Sequence, residues 1–319
     1  MNYNHPPDVV ARLLSAYEQT GSASLAGRMT GVQERHARQI VANHKAGRDV
    51  FQGRPSSNTF HIRNVLNGVP PDPDEFGRLI LDDLPECVMV IPDLQFPFAH
   101  HDWFPFLTAV REKYRPTVVV GIGDEVDSYC LSSYDKDPET MQPSYEYGRA
   151  LEELTRLYDL FPNVLALHSN HGIGRLEKAR IRGGFLRAQV LDYRQFIRAP
   201  AGWQFYREVR LGDVIFHHGD GEKKLTRAFL ERDIPEQYGR HYSVVHGHRH
   251  ESAGRQAEIS VGNKDFFGAY VGCLINPHAP AFGYTRPRKA KLGTGILIHG
   301  EFKRLRLLLD SRGRWTGEL

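Results

Sequence analysis

The stretch VVHGHRHESAG puts His246, His248 and His250 at alternate positions directly after two valines. On a strand, alternate side chains share a face, and neutral imidazole is the commonest metal ligand among side chains. A histidine-rich polar strand end would produce the same letters. Because Gly247 lets the chain turn, only some of the three rings need to converge. The rest of the chain decides between the two readings.

Four other places carry chemically able residues. Asp93 ends CVMVIPD with Gln95 two residues on, Asp124 ends TVVVGIGD with Asp127 three residues on, Asn170 and His171 end NVLALHSNH, and His217 and His218 end VIFHH. Each apolar run reads as a buried strand, and each ends in Asp, Asn, Gln or His. Turns favour Asp and Asn but not His. Sites in open α/β sheets form outside the carboxyl ends of the strands. Five consecutive ends of this kind imply a metal site.

The elements needed to hold these ends in place can be read from the same stretch. WFPFLTAVREKY and YEYGRALEELTRLYDLF are amphipathic helices between the strands, and a long helix is expected from about Arg175 to Ile197. KKLTRAFLERD reads as helical, and DFFGAYVGCLI and GTGILIHGEFKRLRLLLD read as strands, the last a hairpin. Strand and helix in alternation imply an α/β fold with parallel pairing and helices on the sheet faces.

The first fifty residues are different. Val9, Val10, Leu13, Leu14 and Tyr17 recur at helical spacing, and a short helix is expected from Ser24 to Met29, with Leu25, Ala26 and Met29 inward. Thr30 with Gln33 has the pattern of a capping box, opening a third helix that buries Ala37, Ile40 and Val41. Two helices across a Thr-Gly turn fit a helix-turn-helix. Arg35, Arg38 and Gln39 would then face outward, and such side chains read guanine and adenine edges in the major groove. A plain three-helix cap would account for the same pattern. GRPSSNTF and NGVPPDPDEFG mark a linker. The expected organisation is a helical domain at 1–50, a linker at 51–85 and the α/β domain at 86–319.

Taken in order, PDLQ, GDEVD, SNHG, HHGD and GHRH resemble the five signature blocks of calcineurin-like binuclear metallophosphoesterases. The blocks span about residues 86 to 280 and are specific as a set. The resemblance implies a two-sheet α/β sandwich with flanking helices and two divalent ions at the strand ends, Mn foremost, with Fe, Zn or Ni as alternatives. It assigns Asp93, Gln95 and His250 to one ion and Asn170, His218 and His248 to the other, with Asp124 between them. Gln95 stands where the family has His, Ser169 where it has Gly, and Gly172 where it has an acid. His171 would act on an oxygen of the scissile phosphate. His246 and His217 fall outside the pattern and belong to the surroundings or the core. The implied reaction is phosphoester hydrolysis by a metal-activated hydroxide.

Composition bounds the partners. A net charge of +3 over 319 residues permits an anionic partner without requiring one. Nine Lys and Arg against three acids fall between Arg286 and Leu319, and six acids against one Arg between residues 64 and 86. Three separated cysteines among apolar residues imply a reducing compartment. No signal peptide and no membrane span is read, so a cytoplasmic protein is expected. The helical domain and basic runs such as RPRKAK and EFKRLR favour a nuclease or phosphodiesterase acting on DNA. A phosphatase or nucleotide phosphodiesterase whose N-terminal helices serve oligomerisation is the alternative. A third reading, a DNA-binding regulator with purely structural metals, sits poorly with a complete ligand set.

Overall fold

A computed structural model describes residues 7–45, 70–133, 142–282 and 290–319. The chain forms two compact units, Met1–Thr59 and Phe60–Leu319.

In the first unit α1 (Pro7–Thr20), α2 (Ala23–Thr30) and α3 (Glu34–Lys45) enclose a small core. Val10, Leu13 and Leu14 form the buried stripe of α1, and they pack with Ala26, Ala37 and Ile40. Ser22 caps α2 by accepting the Leu25 N–H, and Gly31 ends it at φ 72°. A Cβ on Gly27 would lie 2.8 Å from the Val32 carbonyl oxygen and 2.9 Å from the Ala37 side chain, so the turn and the start of α3 close only over glycine.

Two expectations here are corrected. Thr30 does not open α3: Gly31 stops α2 one residue after it, and the Thr30 hydroxyl donates back to the Ala26 carbonyl at 2.8 Å. Leu25 and Met29 are 41% and 59% exposed rather than inward, because the apolar stripe of α2 narrows to Ala26 and Gly27. The side chains of Arg35 and Gln39 lie outside the described residues, as do Arg286, Arg288 and Lys289.

The second unit is α/β, with two mixed six-stranded sheets. One has the order β12-β11-β2-β3-β4-β5, built from β2 (Cys87–Ile91), β3 (Val118–Gly121), β4 (Val164–Leu167), β5 (Trp203–Tyr206), β11 (Gly293–Ile298) and β12 (Glu301–Arg306). The other has the order β1-β6-β7-β8-β10-β9, built from β1 (Arg78–Leu81), β6 (Glu208–Leu211), β7 (Val214–His217), β8 (Ser243–His246), β9 (Gly254–Val261) and β10 (Lys264–Tyr270). The run β2-β3-β4-β5 is parallel, as is β7-β8-β10, while β11 and β12 form an antiparallel hairpin at one edge.

Strand β2 shows why its sequence is apolar throughout. Cys87, Met89 and Ile91 face a core shared with the helices Trp103–Tyr114 and Pro143–Leu160, whereas Val88 and Val90 face the other sheet. A strand covered on both faces has no polar side to alternate with. Between the sheets Val88, Val120 and Leu165 meet Leu79, Phe216 and Val245. On the far face of the second sheet Phe229, Leu230 and Ile234 pack over Val244 and Tyr270. The layers are compatible with a two-sheet sandwich flanked by helices.

Four readings change. The span taken as a linker contains β1, which pairs in parallel with β6 and so belongs to the α/β unit; only Leu79 and Leu81 of its four residues turn inward, too short a pattern to stand out among Pro and Asp. Strands β5, β6 and β9 show no continuous apolar run in the sequence, because charged or polar residues interrupt each one. The helix expected to Ile197 stops at Arg182, because Gly183 caps it and Gly184 turns at φ 71°. The helical turn of KKLTRAFLERD starts late, as a wide turn over Phe229–Asp233 that leads into Ile234–Tyr238.

Candidate metal centre

The carboxyl ends of β2, β3, β4, β7 and β8 deliver Asp93, Asp124, Asn170, His218 and His248 in turn. The backbone is bent to do so. Gln95, Asp124 and His248 adopt φ of 49°, 52° and 62°, a left-handed conformation that costs a non-glycine residue about 1–3 kcal/mol and clusters at functional sites. Gly123 precedes Asp124 at φ 102°, and a Cβ there would lie 2.7 Å from the Ser169 side chain and 2.8 Å from His218 Nδ1. Only glycine lets these two residues close around Asp124.

Two groups of ligand atoms result. Asp124, His218 and His248 form one, and Asp93, Asp124 and His250 the other, with the atoms of each group within 4.8 Å of one another. Asp124 belongs to both. Asn170 joins the first group, its Oδ1 lying 2.9 Å from His218 Nε2. Asp93 Oδ2 accepts the His248 backbone N–H at 2.8 Å and lies 3.1 Å from His250 Nε2. Gln95 Nε2 lies 3.3 Å from Asp124 Oδ2. All seven sequence-derived ligands therefore come together.

The residues fit divalent ions on two counts. Asp93 Oδ1 and Gln95 Oε1 are buried without a hydrogen-bond partner, and an orphaned buried oxygen is costly unless a cation or water meets it. The donor set of imidazole with carboxylate and amide oxygen suits a borderline transition ion. Electrostatics agree. Burial opposes charge on His218, yet the Asp124 and Asp93 carboxylates and the Ile122 carbonyl lift it to about 10. Burial likewise opposes charge on Asp124, but His218 and His171 hold it well below the usual carboxylate range. His248 is pushed down, by burial and then by His218. The carboxylates of Asp93 and Asp124 thus favour positive charge beside them.

His171 stands beside both groups and belongs to neither. Its backbone N–H donates to Asp124 Oδ1 at 3.1 Å, and its Nδ1 lies 3.2 Å from Asp127 Oδ2. Burial lowers its basicity, but Asp124 and Asp127 more than compensate and raise it. Arg175 reaches back from the helix Ile173–Arg182 to Asp127 Oδ1 at 2.5 Å and to the Asp127 carbonyl at 2.6 Å. His246 is a buried, neutral histidine, held down to about 3 by burial and by the neighbouring imidazoles, with its ring against His217, Phe229 and Tyr270. It is core.

Sequence reasoning assigned no role to Asp127, Arg175, Glu125 or Tyr193. Asp127 carried a signal, as the last residue of GDEVD; the others had none. Tyr193 donates to Glu125 Oε2 at 2.8 Å from 68 residues away, and Glu125 Oε1 has no partner. Burial pushes the Glu125 carboxyl up to about 7 against that hydrogen bond. Unfolded, it would titrate near 4.5. The folded state thus binds the extra proton between these values, and stability falls as pH rises through that window, by about 3 kcal/mol at most. Glu125→Gln should flatten this dependence and raise the melting temperature above pH 7 in metal-free protein. Equal pH slopes in both proteins would contradict it.

A third group, His100, His101 and Asp102, could also hold a metal. Its carboxylate, however, is already committed to the Arg314 guanidinium and the Trp315 N–H.

Among known proteins, no family model matches the chain and no curated protein matches it.

Proposed function

We propose that the chain is a binuclear metallophosphoesterase of the calcineurin-like kind, hydrolysing phosphodiesters and acting on DNA. The observation that carries this reading is the sharing of Asp124 between two ligand groups, with His171 held beside them. Asp93, Gln95, His250 and Asp124 would hold one ion, and Asn170, His218, His248 and Asp124 the other. Bound there, two divalent ions, with Mn favoured, would supply Lewis-acid activation of water and neutralise charge on the phosphoryl oxygens.

The chain's own residues do the rest. Only two of the ligands, Asp93 and Asp124, are carboxylates, so the loaded site keeps a surplus of positive charge that attracts phosphate. His171 is oriented through its backbone N–H and through Asp127 at Nδ1. That leaves Nε2 to donate a proton to the leaving oxygen. Arg175 holds Asp127 in turn. No Cys or Ser nucleophile is required.

An activity panel with Mn tests the proposal: duplex and single-stranded DNA, RNA, a diester reporter and a monoester reporter. Chelator-sensitive hydrolysis of diester and DNA is expected, with the monoester slow. Preference for the monoester would favour a phosphatase acting on small molecules or proteins. Among the described residues no helix is long and apolar enough to cross a membrane.

DNA enters through α3. Its exposed Arg38 is paired with Glu34 and Ser24 within the unit, so a phosphate would have to replace Glu34 as its partner. The double variant Arg35→Ala, Arg38→Ala should weaken duplex binding and flatten the slope of log K against log salt by up to about 1.8, at 0.9 per phosphate. Hydrolysis of the diester reporter should not change. Unaltered duplex affinity would assign the helices to scaffolding or oligomerisation.

A further inference from the structure

The segment immediately downstream of His171 is basic, apolar and outward-facing at once. Residues 173–198 hold seven Lys and Arg against two acids. After the helix Ile173–Arg182, which has no buried residue, every position from 181 to 189 is exposed. Ile181, Phe185 and Leu186 are 64%, 52% and 69% exposed. Large apolar side chains gathered on one exposed segment mark an interaction surface.

The segment is nonetheless ordered by its own hydrogen bonds. Phe185 N–H donates to the Arg180 carbonyl at 3.1 Å, Arg180 Nη1 donates to the Phe185 carbonyl at 2.7 Å, and Leu186 N–H donates to Gln189 Oε1 at 2.8 Å. The Phe185 ring lies directly on the chain. A Cβ on Gly183 would sit 2.6 Å from its Cε2, so only glycine admits the ring in that position. Arg175 ties the start of the same helix to Asp127, beside His171.

We propose that this arm binds a single strand of nucleic acid and leads it to the metal centre, with Phe185 stacking on a base and Arg182 and Arg187 meeting phosphates. Charge complementarity selects an anionic polymer over a second copy of a net-positive chain. The exposed aromatic selects an unpaired strand, because a duplex offers no free base faces along its length. Only the destination of the strand depends on the phosphodiesterase reading; the binding does not.

The test is fluorescence anisotropy with a labelled single-stranded DNA oligonucleotide, on the full chain in chelator, so that no hydrolysis is needed. Phe185→Ala should weaken binding about 5- to 150-fold, the range for loss of one stacked base, and Phe185→Trp should restore it. Arg182→Ala with Arg187→Ala should reduce the salt slope by up to about 1.4, at 0.7 per phosphate of a single strand. Duplex affinity and the diester reporter rate should stay as they were in both. Melting curves check that the variants fold, and the charge variant keeps the test alive if Phe185→Ala does not. Unchanged oligonucleotide affinity in both variants overturns the proposal. If sedimentation then shows Phe185→Ala dissociating a dimer, the surface belongs to a second copy of the chain. A reporter rate indifferent to chelator would sink the metal reading and leave the binding result standing.

Discussion

Asp124→Ala should strip both ions at once and lower diester hydrolysis by about 10³-fold or more, since the charge stabilisation supplied by both ions goes with them. The size of the effect follows from position. Asp124 is the one residue common to both ligand groups, and its two oxygens also receive the His171 N–H and face His218. Replacement of a ligand that serves only one group, such as His248→Ala, should leave one ion in place. Asp124→Asn keeps the shape and the oxygen that accepts the His171 N–H but removes the charge, and it should lose ions while folding normally. Metal content after gel filtration, read beside circular dichroism, separates site loss from unfolding. Two ions retained by folded Asp124→Ala would contradict the bridging role.

His171→Ala should behave in the opposite way, keeping both ions and losing about 10²–10⁴ in kcat, the range for a positioned general acid or base. His171 contacts the ligand carboxylate through its backbone N–H, which alanine retains. The loss should shrink with substrates whose leaving group needs no proton. Asp127→Asn should cost less, because Asp127 orients His171 without touching the substrate, and the replacement keeps an oxygen toward Nδ1. Loss of metal from His171→Ala would mean that His171 had been assigned the wrong role.

Much of the site was legible because its residues sit where strands end. CVMVI, VVVG and VLAL are apolar on both faces, so the polar residues that follow each, Asp93, Asp124 and Asn170 among them, stand out, and GHRH follows the same logic after β8. Spacing alone makes the three imidazoles at alternate positions equivalent, and only the resemblance to the family's blocks sets His246 apart. The structure separates them by the turn at Gly247: His246 ends its strand in the core, while His248 and His250 enter different groups. What stayed hidden depends on distance along the chain. Nothing near Glu125 announces Tyr193, and nothing near Asp127 announces Arg175.

The fold was read less completely, for physical reasons. Strand β1 buries two side chains out of four and sits among prolines and acids, so its pattern is too short to see, yet pairing with β6 makes it part of the sheet. The helix past Arg182 was read through Gly183 and Gly184 because its apolar spacing continues beyond them. Phe185, Leu186 and Leu191 among them are exposed while Tyr193 and Ile197 are buried, and periodicity alone does not tell an inward face from an outward one. At Thr30 the capping pattern was present, but the glycine beside it decided where the helix ended.

Asp93, Asp124, His218, His248 and His250 are expected to form one site for two ions. Isothermal titration of chelator-treated protein with Mn, paired with elemental analysis of the recovered complex, tests it most directly. Two ions per chain are expected for the native sequence, with recovery of diester hydrolysis as they bind. Native protein that takes up no ion, or that hydrolyses the diester equally well in chelator, would contradict it.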